Sequence, residues 1–241
     1  MIERTAPHHQ GEPGPITVLI PAYNEADLIG DTVRAARMIH DVVHVVVIDD
    51  GSTDGTVVEA TVAGADQVVS LPANRGKGAA LRAGRAETQG NIVVMIDGDL
   101  GASARDAFRL VGPVLEGQAD MSIATLPRTG KGGGFGLAVG LARWGIRALT
   151  GRAFNTPLSG QRCLTRAVTD ACDFEDGFGV ETALTIDALR AGFRLVEVDT
   201  VLSHRVTGRS ISGMLHRLRQ FRDIAWTLLR RTVRRSSAGR S

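Results

Sequence analysis

The chain has 241 residues, 43% hydrophobic and 22% charged, with a formal net charge of +2. That balance suits a globular protein with one large core, and it excludes a disordered chain or a wholly basic polyanion binder. Two cysteines, Cys163 and Cys172, are too few for a disulfide framework; they fit a reducing compartment and read as small buried hydrophobes.

Residues 1–15 (MIERTAPHHQGEPGP) are polar, rich in Pro and Gly, and lack the apolar centre of a signal peptide, so they read as a disordered arm. ITVLIP (16–21) reads as a first strand stopped by Pro21, and the apolar stripe Leu28, Ile29, Val33, Ala36 and Ile39 predicts a helix over 26–40. VVHVVVI (42–48) is a second strand ending in Asp49-Asp50-Gly51-Ser52. Thr53 and Asp54 are candidate caps for a helix running to about residue 62. DQVVSL (66–71) is a third strand, Gly76–Thr88 a helix, and 91–96 a fourth strand entered through Gly90. A helix over 103–116 and a strand over 121–126 complete the alternation, which predicts a single, mostly parallel α/β sheet flanked by helices.

The character changes after that point. RTGKGGGFG (128–136) is a basic, glycine-rich loop, followed by a helix over 137–150 and a turn and strand within 157–165. GFGVETALTIDALRAGF (177–193) reads as a helix entered through a glycine loop, 194–202 as a strand, and 213–235 as a last helix. No linker divides the chain. The expected organisation is an arm (1–15), one α/β domain (16–210), a basic amphipathic helix (211–235) and a tail (236–241).

Four polar motifs follow strands: Pro21-Ala22-Tyr23-Asn24-Glu25, Asp49-Asp50-Gly51-Ser52, Asn74-Arg75-Gly76-Lys77-Gly78 and Asp97-Gly98-Asp99. Ligands of open α/β sheets gather at strand carboxyl ends. Asp97 and Asp99 repel one another unless a cation lies between them, and hard oxygen donors suit Mg2+ or Mn2+ carrying a diphosphate. The competing reading is a solvated turn. The third motif opens a helix, where backbone N–H groups and two cations suit an anion.

IPAYNEADLI, VIDDGSTDGT, NRGKGAALRAG and VVMIDGDL, in that order, resemble family 2 glycosyltransferases with the GT-A fold, over about residues 16–210. PLSGQRCLTR, GFGVETALTIDALRAGFRLVEV and HRVTGRS are similar to the polyprenyl-phosphate sugar transferases, and also to the glucosyl-3-phosphoglycerate synthases. The resemblance implies a nucleotide-sugar donor site built from Pro21, Tyr23, Glu25, Asp49, Asp50, Lys77, Asp97, Gly98, Asp99, Arg205 and Arg209. Glu25 and Asp50 would meet the nucleoside, Lys77 the base or phosphates, and Asp97 and Asp99 the metal. Glu25 also reads as a helix N-terminal acid, and Lys77 as a solvated cation. His204 is either a third metal ligand, acceptable to manganese, or a surface histidine.

Asp99, Glu181 and Arg205 are the expected catalytic residues. Glu181 would act as a general base, orient the acceptor loop, or stabilise its helix. Arg128, Lys131, Gln161 and Arg162 are candidates for the acceptor site, the cations gripping a phosphate. The first expectation is transfer to a polyprenyl phosphate with inversion; the alternative is a small soluble acceptor such as a phosphorylated acid, with retention open. PAYNEA after strand one argues against nucleotidyl transfer, and no P-loop or G-x-G-x-x-G motif occurs.

In the last helix Met214, Leu218, Phe221, Ala225, Leu228 and Leu229 are expected on one face, with seven arginines and Asp223 around it. This pattern predicts a peripheral contact with the inner face of the cell membrane from the cytoplasm. Packing against the domain or against a second copy are the other readings, and nucleic acid is not expected.

Overall fold

The computed structural model describes residues 15–125, 136–203 and 211–238. Seven strands form one sheet: β1 (Ile16–Ala22), β2 (Val42–Asp49), β3 (Gln67–Ser70), β4 (Ile92–Met95), β5 (Met121–Thr125), β6 (Arg162–Thr165) and β7 (Leu195–Asp199). Their order is β3-β2-β1-β4-β6-β5-β7. All neighbouring pairs are parallel except β6, which runs against both β4 and β5.

The apolar runs of the strands have a direct cause. Ile16, Val18 and Ile20 face one core while Leu19 faces the other; Val45 and Val47 oppose Val46 and Ile48 in the same way. A parallel sheet covered on both faces has no solvent side on which to place polar residues.

One face is covered by α1 (Ile29–Arg37), α2 (Thr56–Val62) and α4 (Phe108–Leu115), through Val33, Ala60 and Leu110. The other is covered by α3 (Lys77–Arg85), α5 (Gly136–Thr150), α6 (Arg166–Ala171), α7 (Val180–Arg190) and α8 (Ile211–Ala238), through Leu81, Ile146, Val168, Leu184 and Leu228. Both cysteines are buried and free. Burial pushes the Cys163 thiol up, and burial together with the charge of Asp187 pushes Cys172 up to about 12, so both are inert hydrophobes.

Three local expectations are corrected, and one helix is added. The helix expected over 103–116 begins as a 3₁₀ segment, Gly101–Ala107, before α4. The helix α6 had no forecast; Thr165 caps it by accepting from the Val168 N–H at 3.4 Å. Capping by Thr53 does not occur; Asp54 instead accepts from the Thr56 N–H at 3.0 Å just before α2. Finally, α8 continues past the expected end at 235 to Ala238.

Among the described residues, no helix is long and apolar enough to cross a membrane.

Candidate active site

The chain runs from β1 outward to β2 and β3, then returns to β4 on the other side of β1. The carboxyl ends of β1 and β4 therefore flank the point where strand order reverses, and ligands of open α/β sheets bind there.

The loops after β1 and β2 are laced together. The Asn24 N–H donates to Ser52 Oγ at 2.9 Å, and Asn24 Oδ1 accepts from the Thr53 N–H at 2.8 Å. The Glu25 N–H donates to Thr56 Oγ1 at 2.8 Å. Asn24 holds φ 54°, a conformation asparagine tolerates better than most residues. Tyr23, on the same loop, is exposed.

Asp49 and Asp50 are both buried. Asp49 Oδ1 accepts from the Ser52 N–H at 3.0 Å and closes the turn. The two oxygens of Asp50 accept from the Arg75 N–H at 2.8 Å and the Gly76 N–H at 2.7 Å. This corrects the expected anion cradle, because the N–H groups that would greet a phosphate are already bonded to a carboxylate. Asp50 keeps lone pairs for a further donor, since a carboxylate offers about four. The close approach of the two loops requires Gly51: at its φ of +75° a Cβ would lie 2.7 Å from the Ala73 carbonyl carbon.

At β4 the Asp97-Gly98-Asp99 turn is held from behind by Thr32 of α1. The buried Thr32 hydroxyl donates to Gly98 O at 2.9 Å and accepts from the Gly101 N–H at 2.8 Å. Gly98 packs tightly, with Pro21 O 3.3 Å from the position of a Cβ. The two carboxylates of this turn are hard oxygen donors, and magnesium or manganese is commonly held by one or two carboxylates together with substrate phosphates. The chemistry of this pair fits such an ion, with the Asp97 oxygens also engaged by Lys77 and Gln161. Among the described residues, no group of three or more acids, histidines or cysteines is placed to hold one.

Lys77 bridges to α7. Its Nζ is ion-paired with Asp97 Oδ1 and lies 3.1 Å from Glu181 Oε1. Burial would depress its pKa, but the charges of Asp97 and Glu181 more than offset this and hold it above the ordinary lysine value. Glu181 is buried in the first turn of α7, so the sequence expectation for Lys77 is only partly met: it lies in the site, but against carboxylates.

The antiparallel pairing of β6 completes the cradle. Met95 stands opposite Arg162, so the register carries Gly160 and Gln161 alongside Ile96 and Asp97. Gln161 Nε2 donates to Asp97 Oδ2 at 2.7 Å. A Cβ on Gly160 would sit 2.0 Å from Lys77 Nζ, so only glycine leaves room for the ammonium where it stands. Gln161 thus supports Asp97 rather than reaching outward.

Arg162 is also corrected. It is fully buried and cannot grip a soluble phosphate. Its guanidinium donates to Ser159 O at 2.9 Å, Thr185 Oγ1 at 3.0 Å and Pro157 O at 3.3 Å. Burial pushes its pKa down to about 10, against the charge of Glu181. Thr185 donates in turn to Glu181 O at 2.8 Å, so Arg162 ties the turn before β6 to the helix that carries Glu181.

Arg128, Lys131, His204, Arg205 and Arg209 lie outside the described residues. The chain just before His204 is fixed beside the Asp99 turn: the Ser203 N–H donates to Ser103 Oγ at 3.1 Å, and the Val201 N–H to Asp106 Oδ2 at 2.7 Å.

Sequence reasoning missed Thr32, Gly160 and Thr185. Each acts across 20 or more residues, on Gly98, Lys77 and Arg162 respectively. Only Gly160 left a local trace, as the glycine of PLSGQR.

The family model described as glycosyl transferase family 2 matches residues 17–164. Glycosyltransferase AglJ of Haloferax volcanii is 34% identical over 206 residues, covering 81% of this chain and 65% of that protein. Glucosyl-3-phosphoglycerate synthase of Mycolicibacterium paratuberculosis is 34% identical over 196 residues, covering 71% of this chain and 59% of that protein. The chain thus spans 65% and 59% of the lengths of these two relatives. Among solved structures, glucosyl-3-phosphoglycerate synthase of Mycobacterium tuberculosis with Mg2+ and uridine diphosphate matches with a TM-score of 0.76 and 31% identity, over 90% of this chain and 79% of that one. The same enzyme with Mn2+, uridine diphosphate and phosphoglyceric acid matches with a TM-score of 0.76 and 31% identity, over 90% and 78%.

Proposed function

The chain belongs to glycosyl transferase family 2 and has the GT-A fold, and from that premise we propose that it transfers a sugar from a uridine-diphosphate donor to a small phosphorylated hydroxy acid. The observation that carries this reading is the joint presence of an Asp97-Gly98-Asp99 turn and a Lys77–Glu181 pair at the reversal point of the sheet. Relatives of the same fold that hold Mg2+ or Mn2+, uridine diphosphate and phosphoglyceric acid support the choice of ligands, and favour the small acceptor over polyprenyl phosphate.

In this proposal Asp99, backed by Asp97 and joined by His204, would hold the divalent ion. When bound, such an ion neutralises charge on the leaving diphosphate. The remaining roles fall to the chain itself. Tyr23 offers an exposed ring to the base, and Asp50 accepts a base N–H with the lone pairs that the 75–76 turn leaves over. Glu25 and Asp49 shape the wall behind the nucleoside. Lys77 brings a cation to the site while holding Asp97 and Glu181 in register, and the fixed dipoles and charges need no rearrangement during transfer. Arg205 and Arg209 are the proposed donor-phosphate cations, and Arg128 and Lys131 the proposed acceptor cations.

Glu181 orients the acceptor hydroxyl or the sugar. Its carboxylate, with Oε1 3.1 Å from Lys77 Nζ, is held where a hydrogen-bond acceptor at the reacting centre is needed.

The test is incubation with Mn2+, labelled UDP-glucose or GDP-sugars, and either 3-phosphoglycerate or a polyprenyl phosphate, followed by partition into butanol. The proposal expects UDP release with label in an aqueous phosphorylated product. Metal-dependent label in the butanol phase would replace the small acceptor by the lipid one.

A further inference from the structure

The helix α8 has two faces with opposite fates. Inward, Ile224, Thr227, Leu228 and Arg231 are buried. Arg231 is ion-paired with Asp187 and lies 3.0 Å from Glu175 Oε2; Thr227 Oγ1 donates to the same carboxylate at 2.7 Å. Leu228 packs so closely on α5 that a Cβ on Gly145 would lie 2.3 Å from its Cδ2. These contacts fix the rotation of the helix. They also correct the single apolar face read from the sequence: Leu228 points inward while Phe221 and Leu229 are exposed.

Outward, Trp226, Leu229 and Val233 are 55%, 55% and 62% exposed, and their spacing makes one ridge. Phe221 and Ala225 form the adjoining row. A groove of about 650 Å³ runs along this face, lined by Phe221, Arg222, Asp223, Ala225, Trp226 and Leu229. Arg219, Arg222 and Arg230 are exposed, and Arg230 stacks over the Trp226 ring at 5.3 Å. Asp223 is the one acid in α8; it is ion-paired with Arg222 at 2.9 Å.

We propose that this face docks on an anionic lipid bilayer. Packing on the domain explains the inward face and leaves a large apolar ridge that burial on the domain does not use. Exposed cations beside that ridge choose the partner. A two-fold contact with a second copy would crowd these arginines against their own equivalents, whereas an anionic lipid surface complements them. Arginine stems lie along apolar surface with the charge at the headgroups, and tryptophan favours the same depth. An interfacial helix needs this division of apolar and basic surface and no spanning length.

Docking would also orient the site. Gly177 lies between α8 and the donor loops: its own Cβ would sit 2.5 Å from Asp223 Oδ2, and a Cβ on Gly76 would sit 3.6 Å from Gly177 Cα. The proposal stands apart from the choice of acceptor, since a bilayer surface can hold an enzyme with a soluble acceptor.

The test uses the full chain carrying Trp144→Phe, which leaves Trp226 the only tryptophan. Vesicles of equal parts phosphatidylglycerol and phosphatidylcholine are compared with phosphatidylcholine alone. The expected result is sedimentation with the anionic vesicles at least about tenfold above the neutral ones, reversed by roughly 1 M salt, with a blue shift of Trp226 emission. Trp226→Ser with Leu229→Ser should abolish sedimentation and leave the thermal melt unchanged. Equal binding to both vesicles, or binding to neither, overturns the proposal. So does a blue shift that needs no vesicles and grows with protein concentration, which would assign the face to a second copy.

Discussion

The half of the protein up to Asp99 and the half after it build one site by different means. In the first half most functional side chains stand at strand ends, and the loops after β1 and β2 are held by bonds that are short in sequence or run between adjacent parallel strands: Asp49 to Ser52, Asp50 to the 75–76 turn, Asn24 to Ser52 and Thr53. Lys77, which opens α3, and Thr32 of α1, which reaches Gly98, are the exceptions. In the second half the same work is done at long range. Gly160 and Gln161 reach Asp97 only because β6 runs antiparallel to β4, and Arg162 ties the turn before β6 to α7. The lesson is that a parallel strand end displays its motif locally, whereas an antiparallel insertion delivers residues whose purpose appears only in the register.

The largest expected effect breaks the first half. Asp99→Asn should lower transfer by about 10³-fold, the scale of losing one centre of charge stabilisation, with the thermal midpoint nearly unchanged. Initial rates with saturating UDP-glucose measure it, and a loss below tenfold would remove the turn from the chemistry.

Gly160→Ala makes the matching cut in the second half. A methyl group placed 2.0 Å from Lys77 Nζ must push the ammonium off Asp97. The expected fall in kcat is about 10²-fold, since displacements of about 1 Å at a reacting centre cost that much. Unchanged kinetics would mean that the lysine position does not matter.

Gly51→Ala sharpens the contrast through stability. A left-handed φ with backbone atoms 2.7–2.9 Å from the new Cβ should cost about 2 kcal/mol or more, read from urea midpoints at constant slope.

The smallest effect is acidic. Burial raises the Asp66 pKa, but the Val45 N–H and Arg37 more than offset it, leaving the folded value below 3.8. A carboxylate with a depressed folded pKa adds stability that is present above the unfolded value and lost as pH falls through the folded one. Asp66→Asn should therefore flatten the loss of stability below about pH 4, by a fraction of a kcal/mol for so exposed a pair. Parallel acid limbs in wild type and variant would contradict this.

Legibility followed the same division. The strands β1 to β4 and their terminal motifs were plain in the sequence because doubly covered parallel strands are continuous apolar runs that stop at polar turns. The antiparallel course of β6 was not, because the four residues Arg162–Thr165 carry no sign of direction. Arg162 misled for a physical reason: an arginine in a glycine-containing turn reads as solvent-facing, whereas the nearby carbonyls of Pro157 and Ser159 and the distant Thr185 hydroxyl together make its burial tolerable. The apolar stripe of α8 was visible, but its division into a buried and an exposed ridge depended on Gly145 and Asp187, far away in the chain.

The most direct test of the account is calorimetric titration of UDP into the wild-type protein and Asp99→Asn, each with Mn2+ and with chelator. The account predicts that Mn2+ tightens UDP binding by at least about tenfold in the wild type and has no such effect in the variant, as expected when carboxylate and diphosphate share one cation. Equal UDP affinity in all four conditions would contradict a metal-diphosphate site at the end of β4.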